Sequence, residues 1–176
     1  LMIVDEVQTG IGRTGEWFGI QNFGVVPDII TMAKALGGGV PIGAVTATDE
    51  IAAVMTPGTH GTTFGGNPLV TTSGCAVIDI MKRDHLVEHS KDIGRRWRED
   101  LMTISSDKIK DIRGYGLING IEMDSNETAA HVQKYCRDNG VLVNVCHGNT
   151  VRLIPPLILE DGQKDLFTKL FRESLE

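Results

Sequence analysis

Aromatic side chains make up only 5% of this 176-residue sequence. No stretch of about 18 consecutive apolar residues occurs, which excludes a membrane-spanning helix. Cysteine is scarce as well. Cys75, Cys136 and Cys146 are odd in number and widely spaced, which argues against a disulfide framework and suits a reducing compartment. No Lys/Arg block offsets the net charge of −6, so nucleic acid is excluded as a partner. Arg95, Arg96 and Arg98 come nearest to such a block. They alternate with Trp97, Glu99 and Asp100 and read as a solvated helix face. Repeats and low-complexity segments are absent. An initiator Met and a signal peptide are missing too, and Leu1 falls in mid-strand, so the expectation is that a segment upstream has been lost.

What is present is the makeup of an ordinary globular protein, with 41% hydrophobic residues to fill a core. Two apolar runs end in single charges. Leu1-Met2-Ile3-Val4 closes on Asp5-Glu6-Val7-Gln8, and Ile29-Ile30-Thr31-Met32-Ala33 closes on Lys34 and three glycines. Each run reads as a strand covered on both faces. In open α/β sheets ligands bind beyond the carboxyl ends of such strands, so one carboxylate and one amine are aimed at the same crevice. Pyridoxal phosphate needs that pair: an amine to condense with its aldehyde and an acid for its pyridinium nitrogen.

A Gly-rich loop follows the first strand, from Gly10 to Gly15, and then a short segment with Trp17, Phe18 and Phe23. A third strand is expected over 41–47 and a short helix over 49–55. Asn67-Pro68 opens a long helix, with Asn as N-cap and Pro at N1. A second helix covers roughly 86–104. Strands are expected over 116–123, 140–145 and 151–154, a helix over 128–139, and an amphipathic helix at the C-terminus carrying Leu166, Phe167, Leu170 and Phe171 on one face. The pattern divides the chain into an α/β half, 1–95, and an α+β half, 96–176.

Several motifs invite chemistry and are weaker than they look. Gly10-Ile11-Gly12-Arg13-Thr14-Gly15 satisfies the dinucleotide-binding pattern, but Asp5 and Glu6 at the strand end would repel a pyrophosphate and no long helix follows. His85-Leu86-Val87-Glu88-His89 matches a zinc-peptidase pattern without a third ligand, so no metal site is expected. Lys34 is the sole charge between Ile29 and Leu36, which suits a Schiff-base lysine; the alternative is a strand-end lysine reaching water. Asp5 could equally cap a turn or pair with Arg13. Thr62-Thr63-Phe64-Gly65-Gly66-Asn67 offers hydroxyls and amides to a phosphate, or forms a plain N-cap loop. Arg152, inside Thr150-Val151-Arg152-Leu153-Ile154, wants a carboxylate from substrate or from protein.

Taken together, these pieces resemble the class III (subgroup II) aminotransferases, pyridoxal-phosphate enzymes of fold type I. The resemblance rests on Val4-Asp5-Glu6-Val7-Gln8-Thr9-Gly10, on Pro27-Asp28-Ile29 through Lys34-Ala35-Leu36-Gly37-Gly38-Gly39, on Pro41-Ile42-Gly43-Ala44, and on His60-Gly61-Thr62-Thr63-Phe64-Gly65-Gly66-Asn67-Pro68. Arg113-Gly114-Tyr115-Gly116-Leu117 and the run from Gly148 to Leu157 resemble the acetylornithine branch.

The resemblance implies part of the large domain's mainly parallel sheet plus a C-terminal α+β small domain. It implies Lys34 as the catalytic, cofactor-bearing lysine, Asp5 on the pyridine nitrogen and Gln8 on the phenolic oxygen. Thr63 would bind the phosphate of a neighbouring subunit's cofactor, and Arg152 a substrate carboxylate. The implied protein is a cytoplasmic homodimer with shared active sites. It would act on amino acids and 2-oxo acids, passing the amino group of N2-acetyl-L-ornithine to 2-oxoglutarate in arginine biosynthesis. Ornithine, 4-aminobutyrate or succinyl-diaminopimelate are alternative donors, and a non-catalytic partner is another reading. Family members carry a further half before the Asp-bearing strand, so this chain is expected to be a C-terminal fragment, inactive alone.

Overall fold

The two apolar runs do pair. β1 (Ile3–Asp5) lies parallel to β2 (Ile29–Met32), with Asp5 opposite Thr31. β3 (Ala44–Ala47) runs antiparallel along the other side of β2, so the order is β1-β2-β3 and β1 is an edge. Within this chain the sheet is therefore mixed rather than mainly parallel. Its third strand starts at Ala44, later than expected; Pro41 lacks the N–H a ladder needs. The expected cover on both faces is also missing. Ile3 is 64% exposed, and β2 reaches full burial only at Met32.

These observations come from a computed structural model that describes residues 1–176. The chain forms two compact units, Leu1–Val87 and Glu88–Glu176. In the first, a 3₁₀ helix spans Gly19–Phe23 and stops at left-handed Gly24; a second spans Lys34–Gly37 and stops at Gly38. A short α1 (Asp49–Ala52) leads to α2 (Pro68–Arg83). Asn67 caps α2 as expected, its side chain accepting from the amides of Leu69 and Val70 at 3.1 and 3.2 Å. From α2, the Ser73 hydroxyl donates to the Gly37 carbonyl at 2.8 Å, which clamps the turn that begins with Lys34.

The second unit begins inside the first turn of α3 (Leu86–Met102). The reason is packing: Ile93, Trp97 and Leu101 on α3 belong to this unit's core. The remaining elements are β4 (Ile109–Tyr115), β5 (Ile118–Met123), α4 (Asn126–Asp138), β6 (Asn144–Cys146), β7 (Thr150–Leu153) and α5 (Asp161–Glu173). The strands form an antiparallel sheet in the order β4-β5-β7-β6. Alternate residues of β5 are buried, with Ile121 and Met123 set against Val132 and Cys136 of α4 and Phe171 of α5 in one core.

Residues 140–143 do not join the sheet, although a strand was expected from Gly140. Gly140 and Val141 donate their amides to Arg137 and Cys136 of α4, and the Val143 carbonyl accepts from the Gln133 side chain. The segment finishes a helix instead of extending a ladder. Between α3 and α5, Trp97 Nε1 donates to Thr168 Oγ1 at 3.1 Å, and Arg96 bridges Asp92 and Asp161. Gly94 lets α3 approach the Gly116 carbonyl so closely that an added Cβ would lie 1.9 Å from its oxygen.

Candidate active site

Asp5 closes β1, and its carboxylate stays exposed. It accepts the Val7 amide at 2.9 Å, an Asx-type turn, and a weak contact at 3.5 Å from the Thr31 hydroxyl on β2. The following backbone is pinned to the same neighbour, since the Glu6 amide donates to Thr31 O at 2.8 Å. The carboxylate is thus held at the C-terminal end of the parallel pair with acceptor capacity left over.

Lys34 stands at the same end, just beyond β2. It opens its 3₁₀ turn with φ of 44°, a left-handed conformation that costs a non-glycine residue of order 1–3 kcal/mol. Leu36 (7% exposed) and the Ser73 bond hold the turn in place. The lysine side chain is exposed and makes neither ion pair nor hydrogen bond, Asp5 included. Its apolar sequence neighbours therefore do not cover it here: Leu36 of the same turn is buried while the lysine stays exposed. An exposed strained lysine and an exposed carboxylate, unpaired with each other at the C-terminal ends of adjacent parallel strands, have the chemistry that a pyridine ring with an aldehyde requires.

Gln8 is exposed past the turn that follows Asp5. Thr63 lies in the exposed loop ahead of α2, and its hydroxyl has no partner. The loop is tied by its neighbours: Gly65 N donates to Thr62 Oγ1 and Asn67 Nδ2 to Phe64 O. Asp5, Gln8, Lys34 and Thr63 all belong to the first unit, whereas Arg152 belongs to the second. On β7, Arg152 is half-buried and pairs with no carboxylate of the chain. It lines a cavity of about 880 Å³ whose other walls include Trp97, Leu142, Ile154, Pro155 and Phe167. A guanidinium on an apolar wall without a protein partner can take a carboxylate from outside.

The remaining motifs resolve into structure. Gly15 N donates to Gly12 O and Gly12 N to Trp17 O, so the glycine motif closes on itself and opens no helix. His89 Nε2 bonds the Leu159 carbonyl at 2.8 Å, and no cluster of three His, Cys, Asp or Glu side chains could hold a metal. No helix is long and apolar enough to cross a membrane. Sequence reasoning took Glu6 only as a strand-end charge beside Asp5, whereas it is 1% exposed and accepts from Gly19 N at 2.9 Å, Ile20 N at 2.8 Å and Thr9 Oγ1. Two of its partners are backbone amides thirteen and fourteen residues along the chain, which leave no trace in composition or spacing.

The sequence model of the Aminotransferase class-III family matches residues 1–175. The chain is 43% identical over 175 residues to an acetylornithine aminotransferase of Aquifex aeolicus, covering 99% of this chain and 45% of that protein. It is 41% identical over 180 residues to ornithine aminotransferase 1 of Staphylococcus saprophyticus, covering 100% of this chain and 44% of that protein. Among solved structures, an ornithine aminotransferase from Toxoplasma gondii with partial occupancy of PLP at its active site superposes with a TM-score of 0.92 at 36% identity. That match covers 98% of this chain and 42% of the other. The chain thus spans less than half the length of the relatives it matches. It belongs to the class-III aminotransferases, a family of pyridoxal-phosphate-dependent enzymes of α/β fold.

Proposed function

We propose that this chain carries the lysine-bearing part of a pyridoxal-phosphate-dependent ω-aminotransferase. Its donor would be N2-acetyl-L-ornithine and its acceptor 2-oxoglutarate. The observation that carries the reading is the placement of Asp5 and Lys34, both exposed and unpaired with each other, at the ends of adjacent parallel strands. The cofactor, when bound, supplies a ring that withdraws electrons from the carbon bearing the substrate's amino group. Lys34 would hold the cofactor through its amine and, once released, carry a proton to and from that carbon. The Asp5 carboxylate would keep the ring nitrogen protonated by accepting its hydrogen bond. Gln8 would donate to the phenolic oxygen. Thr63 would give its hydroxyl to a phosphate held by a second subunit of a homodimer, and Arg152 would take a substrate carboxylate as a bidentate partner.

Free ornithine is the second reading, favoured by the 41% identity to the Staphylococcus ornithine enzyme. The test is chemical trapping. The chain is mixed with pyridoxal 5′-phosphate, reduced with borohydride, digested and mapped by mass spectrometry. The reading expects the adduct on Lys34, lost in Lys34→Ala and weakened in Asp5→Asn. Label scattered over surface lysines without preference for Lys34 would refute it. Turnover of acetylated against free ornithine, measured on the full-length protein that carries this segment, decides the donor.

A further inference from the structure

Glu6 sits between the two residues read as cofactor contacts, and its surroundings differ from theirs. Asp5 and Gln8 are exposed, whereas Glu6 is 1% exposed. Its backbone amide is tied to β2 through Thr31 O at 2.8 Å, and its carbonyl accepts from Gly10 N at 2.9 Å. Of its carboxylate oxygens, Oε2 accepts from Gly19 N at 2.9 Å and from the Thr9 hydroxyl. Oε1 accepts from Ile20 N at 2.8 Å. Those two amides open the 3₁₀ helix Gly19–Phe23, so one side chain joins the tip of β1 to a segment that follows the whole glycine loop.

Two glycines allow the approach. A Cβ at Gly19 would lie 3.1 Å from Glu6 Oε2, and one at Gly10 would lie 2.7 Å from Glu6 O. A buried carboxylate that receives three donors at fixed places is a rigid joint, and its geometry requires an acceptor on both oxygens.

We propose that Glu6 is a positioning residue: its carboxylate locks the Val7–Ile20 loop onto the end of β1 and so sets where Asp5 and Gln8 stand to meet the cofactor. The inference rests on the cofactor reading above. Glu6 does not touch the reacting groups; it acts through Asp5 and Gln8. Replacing it with the isosteric amide turns one acceptor into a donor. If the amide nitrogen takes the Oε1 place, it faces the Ile20 N–H, donor against donor. If it takes the Oε2 place, it faces Gly19 N–H. Either way one hydrogen bond from a backbone amide is lost with volume unchanged.

The experiment compares wild type, Glu6→Gln and the milder Thr9→Val in amide hydrogen exchange and in pyridoxal 5′-phosphate titration read by absorbance. Lys34 trapping is run alongside. Glu6→Gln should raise exchange at Gly19 and Ile20 at least tenfold while leaving Ile30 and Met32 protected. It should also weaken cofactor binding at least tenfold and move the pH profile of the absorbance band toward that of Asp5→Asn. Thr9→Val should do the same to a smaller degree. Wild type that traps cofactor on Lys34, beside a Glu6→Gln variant with wild-type affinity and band profile, refutes the role of Glu6 alone. Weakened binding with an unshifted band profile shows a merely structural part and also refutes it. Wild type that fails to trap on Lys34 refutes the cofactor reading, and the Glu6 role with it.

Discussion

Gly94→Ala sets two physical effects against each other, and the structure decides the sign. Helix propensity alone favours alanine in the interior of α3 by about 0.8–1 kcal/mol. The contact says otherwise. A Cβ would lie 1.9 Å from Gly116 O and 2.3 Å from its carbonyl carbon, where a carbon–oxygen contact normally needs about 3.3 Å. The obstacle is backbone, so no flexible tip can swing aside. Relief requires α3 to retreat by roughly an ångström, which lifts Ile93, Trp97 and Leu101 from a core where each is at most 3% exposed. Overpacking of this kind typically costs about 1–3 kcal/mol and occasionally more, and a rigid backbone clash belongs at the upper end. After the propensity gain, the net loss should be about 2 kcal/mol.

For a unit of this size that loss corresponds to a fall in Tm of roughly 8–16 °C. Trp97 lies in the second unit and Trp17 in the first, so a Trp17→Phe background leaves one tryptophan to report α3. Urea titration followed by Trp97 emission measures the change. A neutral or stabilised Gly94→Ala would show that α3 and the Gly116 turn are not in contact, and the packing argument would fall.

The other expectations concern titratable groups. Burial pushes the Cys136 thiol up to about 11, whereas Cys75 is exposed, so an aromatic disulfide reagent near neutral pH should label Cys75 early and Cys136 only on unfolding. Equal rates in the native chain would contradict this. The hydrogen bond from Arg96 holds the Asp161 carboxyl below its usual range. Its folded pKa is depressed, so the stabilisation is fully present above the unfolded value of about 3.9 and is lost as pH falls through the folded value. Asp161→Asn should therefore show a flatter decline in Tm than wild type as pH falls below about 4. Parallel declines would mean that the α3–α5 pair carries no stability.

Much of the candidate site was legible because charge interrupts apolar runs. Asp5 and Lys34 stand out where hydrophobic sequence stops, and strand ends are where α/β sheets expose side chains. The cap Asn67 was equally plain, since its chemistry is local. β4 escaped notice because it is an edge strand whose charged residues reach water: Arg113 pairs with Asp111 and with Glu122 on β5, and a bulge between Ile109 and Asp111 breaks the alternation. The exposure of β1 was misjudged for a different reason. A continuous apolar run reports what a strand can tolerate on its faces, not what this chain places there. Glu6 was invisible as a joint, because its meaning depends on amides that only folding brings near.

The open side of β1 has a practical consequence. Its outward row of amides and carbonyls has no neighbouring strand, and Ile3 beside it is exposed. Such a rim is a template for another extended segment, and only its three-residue length blunts it. Concentrated stocks of the purified chain should therefore be checked for association by light scattering before any spectrum is interpreted. A charged substitution at Ile3 is a direct way to keep molecules apart without touching the carboxylate two residues on.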